Sequence, residues 1–171
     1  SNAKVETVNY DVKSSLTDVI NNVADSVVGV VVYSNGAASG SGSGVVYRVN
    51  GNSAYIITNE HVVSDASEVR VVFANGESVT ANVVGGDTYS DIAVLQLTAD
   101  FEMTAIDCGD SSKLETGETV LAIGSPLGIE YAGTVTQGIV SGTDRTVSVD
   151  LNDDGQDDWD MNVIQTDAAI N

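Results

Sequence analysis

The only histidine in the chain, His61, sits in Ile57-Thr58-Asn59-Glu60-His61-Val62-Val63. Thirty residues later Asp91 opens an apolar run, in Tyr89-Ser90-Asp91-Ile92-Ala93-Val94-Leu95. An aspartate at a strand end is what a catalytic histidine needs. Its carboxylate accepts from Nδ1–H, fixes the tautomer and stabilises the imidazolium formed when Nε2 takes a proton. Residue type and spacing alone do not separate this pair from a surface histidine and a turn aspartate. A metal role for His61 is the poorer reading, because no second histidine or cysteine pair completes a transition-metal set. The lone Cys108 builds no internal disulfide and reads as a small packing or surface residue.

A second set of oxygens lies near the C-terminus. Residues 150–160 read Asp-Leu-Asn-Asp-Asp-Gly-Gln-Asp-Asp-Trp-Asp and hold six of the chain's 25 acids. Asp150, Asn152, Asp154 and Asp158, with the backbone carbonyl of Gln156, offer oxygens at alternating positions, and Gly155 allows a sharp turn. The pattern resembles calcium loops of the EF-hand and integrin-propeller kind. The twelfth EF-hand position falls on Met161, so the bidentate Glu of a helical EF-hand is lacking. Two readings stand together: a calcium site in a hairpin, and a solvated acidic turn. Trp159 beside it reads as a packing residue.

The elements that must carry these residues read as β-strands. Short Val-, Ile- and Thr-rich runs recur between Gly, Asn, Asp and Ser, the signature of an all-β sandwich or barrel. The pattern predicts strands near Val28–Tyr33, Gly44–Val49, Ala54–Thr58, Glu68–Phe73, Ser78–Val84, Ile92–Leu97, Thr119–Ile123, Gly133–Val140, Thr146–Val149 and Met161–Gln165. Asn50-Gly51-Asn52 and Asn75-Gly76-Glu77 are predicted hairpin turns. Leu16, Val19, Ile20 and Val23 recur at helical spacing and predict a short amphipathic helix within Ser15–Val27. Before it, Lys4–Lys13 reads as extended, with Tyr10 its only large side chain, and Ser1-Asn2-Ala3 as the remnant of a cleaved expression tag. Ser34–Gly44 is Gly/Ser-rich, the composition of a linker. A soft boundary falls near Asp107–Thr116, with about six strands before it and four after. Six strands can close a barrel; four leave open edges, so the second half reads as unfinished.

Composition narrows the partners. Six Lys plus Arg against 25 Asp plus Glu give a formal net charge of −19 over 171 residues. That argues against a broad basic face for nucleic acid or an anionic membrane. Aromatic residues at 5% leave few stacking platforms for single strands, whereas 42% hydrophobic residues suit a packed core. No run of about 18 apolar residues predicts a membrane span.

The words around His61 and Asp91 carry a more specific signal. Gly40-Ser41-Gly42-Ser43-Gly44, Thr58-Asn59-Glu60-His61-Val62-Val63 and Ser90-Asp91-Ile92-Ala93-Val94-Leu95 resemble, in order, the HtrA family of trypsin-like serine proteases, including DegP and Gram-positive surface relatives. The likeness continues through Gly109-Asp110-Ser111-Ser112-Lys113-Leu114, Leu121-Ala122-Ile123-Gly124-Ser125-Pro126-Leu127-Gly128, Thr136-Gln137-Gly138-Ile139-Val140-Ser141 and Gln165-Thr166-Asp167-Ala168-Ala169-Ile170-Asn171.

The resemblance implies an all-β, chymotrypsin-like antiparallel double barrel with a short N-terminal helix. Residues 1–3 are the tag remnant, 4–24 an extended segment and helix, 25–112 a complete first barrel with His61 and Asp91, and 113–171 a partial second barrel. It implies His61 as general base and Asp91 as its orienting carboxylate. In the family, the words after Thr-Asp-Ala-Ala-Ile-Asn carry the nucleophilic Ser and the oxyanion hole, so both are expected beyond Asn171 and this chain is expected to be inactive alone. The implied parent is an extracytoplasmic endopeptidase of protein quality control, at the cell surface or in the periplasm and membrane-anchored. Polypeptides are its implied substrates, with no cofactor required and no nucleic-acid partner. A homo-oligomer is expected, either the family's trimer or a strand-swapped assembly. The alternative is a non-catalytic, calcium-dependent binding module on a protease-like fold.

Overall fold

The computed structural model describes residues 14–124 and 133–170. Expectations for Ser1–Lys13, including Tyr10, for Ser125–Gly128 and for Asn171 concern residues outside that range.

Helix α1 (Ser15–Val23) forms where the helical period lies. It starts at Ser14, whose backbone N–H donates to the Thr17 hydroxyl at 3.5 Å, and passes through a single 3₁₀ turn (Ala24–Ser26) into the first strand. Six strands follow: β1 (Val27–Ser34), β2 (Ala37–Asn50), β3 (Ser53–Thr58), β4 (Glu68–Val72), β5 (Ser78–Asp87) and β6 (Ile92–Thr98). They close antiparallel into a barrel in the order β1-β2-β3-β6-β5-β4, leaving no free edge. Gly51 and Gly76 take positive φ at the two hairpin turns the Asn-Gly pairs predict.

Alternation fills the interior. Ala54, Ile56 and Thr58 of β3 and Ala93, Leu95 and Leu97 of β6 point inward and are buried. Val28, Val30, Val32, Val46, Val69 and Val71 join them. Branched side chains fit a narrow barrel because they fill the space near the backbone.

Two expectations change. Ser34–Gly44 is no linker, because β2 runs unbroken from Ala37 to Asn50 and pairs with β1 through its Gly/Ser stretch. A side chain on Gly42 would collide with Val62, and one on Gly44 would crowd Ile56, the Ile57 carbonyl and Val30, so glycine is there for close approach rather than flexibility. Secondly, Gly133–Val140 and Thr146–Val149 are parts of one long strand. After β7 (Thr119–Gly124), β8 (Thr134–Val149) continues through irregularities between Val140 and Arg145 and pairs with β9 (Trp159–Thr166). The polar residues Ser141–Arg145 broke the apolar signal but not the ladder. The second unit is thus a three-stranded antiparallel sheet in the order β7-β8-β9. β7 lies against β1 and β2, with Gly124 close to Ser43.

Candidate active site

Strand register brings the two candidate residues together. Thr58, at the end of β3, pairs with Ala93, at the start of β6. His61 lies three residues beyond Thr58 and Asp91 two before Ala93, so both emerge at the same rim of the barrel. Between them the chain makes a one-turn helix, α2 (Glu60–Val63), whose first N–H groups lack partners within the helix.

Asp91 supplies those partners. Its Oδ1 accepts from the His61 backbone N–H at 2.9 Å, and its carbonyl accepts from Glu60 N–H at 3.2 Å. Its Oδ2 lies 2.7 Å from His61 Nδ1. The Asn59 amide donates to the same carbonyl at 3.1 Å and to Oδ2 at 3.3 Å. Asp91 reaches this position at φ 54, a left-handed conformation that aspartate tolerates better than most residues. The turn before it is held by Asp87, whose Oδ2 accepts from the Ser90 N–H at 3.1 Å and from its hydroxyl at 2.6 Å.

The electrostatics follow. Burial pushes the Asp91 carboxyl up, but the His61 backbone N–H, the His61 ring and the Asn59 amide together outweigh it and hold it below its ordinary value. An ionised Asp91 only accepts, so in the neutral imidazole it places the proton on Nδ1 and leaves Nε2 as the acceptor. The imidazole itself is open, with 71% of its side-chain surface exposed. It borders a 570 Å³ cleft between barrel and sheet, lined among others by Ser41, Ser43, Ala122, Thr136 and Ile170.

The sequence alone assigns no role to Asn59 or Asp87. Asn59 lies within the motif that carries His61, and an aspartate three residues before a serine is a recognisable turn signal.

The acidic loop stands apart from this site. Asp150 Oδ2 accepts from Gly155 N–H at 2.6 Å, and its Oδ1 from Asn152 N–H at 3.2 Å and Asp154 N–H at 3.3 Å. The Gly155 N–H is the largest of the influences that lower its carboxyl. Asn152 and Asp154 cap the N–H groups of Asp154 and Gln156 in turn, and Asp158 accepts from Leu151 N–H. Among the described residues, no group of three or more His, Cys, Asp or Glu side chains is placed to hold a metal ion.

The family model of the trypsin-like peptidase domain matches residues 42–171. The chain is 45% identical over 174 aligned residues to the serine protease Do-like HtrA of Bacillus subtilis (strain 168), covering 92% of this chain and 38% of that protein. It is 50% identical over 130 residues to the serine protease Do-like HtrA of Lactobacillus helveticus, covering 76% and 30%. Among solved structures, the HtrA-type protease AlgW with tripeptide superposes with a TM-score of 0.74 at 34% identity, covering 92% of this chain and 48% of that one. The chain therefore spans well under half the length of these curated relatives and about half of the solved chain.

Proposed function

The chain belongs to the trypsin-like peptidase domain family, and from that membership we propose that it is the His–Asp part of an HtrA-type serine endopeptidase. The observation that carries this is the two-point hold of Asp91 on His61, one carboxylate oxygen on Nδ1 and the other on the backbone N–H. In this mechanism His61 Nε2 takes the proton of a serine hydroxyl as its oxygen attacks the scissile carbonyl. It then gives that proton to the leaving amine. Asp91 keeps its charge throughout and stabilises the imidazolium between the two transfers. Water completes the cycle, so no cofactor enters.

We place the nucleophile and its oxyanion hole in chain following Asn171. The test is labelling with a serine-directed fluorophosphonate. The 171-residue chain is expected to remain unlabelled, and a chain extended C-terminally to label stoichiometrically. Labelling of the 171-residue chain, for example at Ser41 or Ser43 in the cleft, would refute this placement. His61→Ala in the extended chain should abolish labelling.

Polypeptide substrates, a homo-oligomeric assembly and an extracytoplasmic, membrane-anchored parent acting in protein quality control belong to the same proposal. The solved relative's tripeptide supports the first. The open outer strands of the β7-β8-β9 sheet, among the described residues, support association. The second reading is a calcium-dependent binding module. It is favoured by the order of oxygens at Asp150, Asn152, Asp154, Gln156 and Asp158 around Gly155, which turns at φ 85.

A further inference from the structure

The described residues contain two aromatic ring pairs. Phe73 and Phe101 meet within the barrel unit, whereas Tyr89 and Trp159 meet across the two halves, centroids 5.2 Å apart and planes at 66°. Tyr89 lies two residues before Asp91, in the turn from β5 to β6. Trp159 opens β9, pairs with Val149 at the end of β8, and so closes the base of the acidic loop. Each residue is about half exposed, and the two rings meet edge to face.

The turn beneath Tyr89 is stiff. Ser90 is fixed to Asp87 through both its N–H and its hydroxyl, and Asp91 follows directly at φ 54. With Ser90 fixed between them, the seat of Tyr89 and the path of the chain into Asp91 are set together, and Asp91 is the one residue that holds Nδ1 and the backbone N–H of His61. Other contacts fix Asp91 from the α2 side, through Asn59, Glu60 and His61. Trp159 bears on the same turn from the second sheet. We infer that Trp159, through its edge contact with Tyr89, is a positioning residue for Asp91 and couples the acidic β8–β9 hairpin to the geometry of the His–Asp pair. This inference rests on reading His61 and Asp91 as the catalytic pair. It assigns Trp159 a role beyond packing, and one that acts through the turn rather than on substrate.

The experiment uses the 171-residue chain itself. Trp159 is its only tryptophan, so intrinsic fluorescence reports the contact directly. Two readouts follow the site: the ¹⁵N spectrum of the His61 imidazole, which distinguishes the Nδ1–H tautomer, and hydrogen exchange of the His61 backbone amide. Trp159→Ala should move the imidazole spectrum from a single Nδ1–H tautomer toward that of Asp91→Asn. It should also speed His61 amide exchange about 2- to 10-fold, the range set by the loss of one aromatic pair. Trp159→Phe should retain most of both signatures. Exchange of the barrel amides of Val46 and Leu95 should be unchanged, which a general loss of stability would not permit. Tyr89→Ala should reproduce the effect, and adding it to Trp159→Ala should bring little more; it also decides the matter if Trp159→Ala fails to fold. An Asp91→Asn spectrum identical to that of the unaltered chain would refute the catalytic pair, and this inference with it. A changed Asp91→Asn spectrum, beside unchanged imidazole and amide signals in both aromatic variants, would overturn the coupling alone.

Discussion

A methyl group added at Gly42 tests how the barrel holds the helix that carries His61. An ideal Cβ there would lie 2.9 and 3.1 Å from the two γ-methyls of Val62, the residue after His61. Carbon atoms pack best at about 3.5–4.0 Å, so the overlap is roughly half an ångström. Val62 has little room to give. It is β-branched, within a helical turn, and packs against the core cluster. Either its χ1 leaves the staggered well, at about 0.5–1.5 kcal/mol, or α2 lifts and stretches the bonds between Asp91 and the N–H groups of Glu60 and His61. Against this, alanine restricts the unfolded chain more than glycine does, which returns about 0.5 kcal/mol.

The net expectation for Gly42→Ala is a loss of about 0.5 kcal/mol, or about 1–2 °C in Tm for a chain of this size. The remedy is specific. Val62→Ala removes both offending methyls and leaves only the Val62 Cβ, at 3.6 Å from the new methyl, an ordinary contact. The double variant should therefore be more stable than the sum of the singles predicts, by about 1 kcal/mol or more. Urea midpoints at constant m measure all four corners of the cycle. Additivity within about 0.3 kcal/mol, or a Gly42→Ala variant as stable as the parent, would refute the claim that Gly42 is there to let α2 lie close.

In a C-terminally extended, active chain, Asp91→Asn should lower kcat about 10⁴-fold with little change in KM, because the imidazole is then no longer held in the productive tautomer. A loss carried mainly by KM would count against the role. Asp91, Asp87, Asp110 and Asp150 all have carboxyls held below their ordinary value, Asp91 despite its burial and the other three chiefly by Ser90, Ser112 and Gly155 respectively. A depressed folded-state value adds stability above the unfolded value and loses it as pH falls through the folded one. Stability should therefore fall below about pH 4, less steeply in Asp91→Asn. A urea midpoint that stays flat to pH 2.5 would contradict this. The calcium reading requires that calorimetric titration with Ca²⁺ give heat in the parent chain and none in Asp154→Ala; a silent parent chain ends it and leaves the loop a solvated acidic turn.

What could be read from the sequence follows the range of the interaction that fixes each feature. Barrel strands such as Ala54–Thr58 and Ile92–Leu97 show in the sequence because their alternation is local, and the structure reproduces both within a residue. The Gly/Ser run Ala37–Gly44 hid its strand. Its Gly42 and Gly44 face Val62, Ile56 and Val30, neighbours distant in the chain that leave little room for a side chain at those two positions. Ser141–Arg145 hid the continuity of β8 in the same way, since partners on β9 hold the ladder through its irregularities.

The site shows the same division. His61 and Asp91 stood out as residue types, but nothing local says they meet. They meet because Thr58 pairs with Ala93, and a shift of one residue in that register would turn each strand's apolar set away from the barrel interior. The packing of Ile56, Leu95 and Leu97 therefore does more than stabilise the barrel. Each sits below 3% exposure in the interior, and the cost of exposing them holds the register that delivers His61 and Asp91 to one rim. The 2.7 Å contact between Nδ1 and the carboxylate thus depends on the register of the barrel as well as on the local bonds that hold Asp91. A cavity-creating substitution deep in the barrel, such as Ile56→Ala, would leave His61 and Asp91 themselves untouched while weakening the pairing that brings them together.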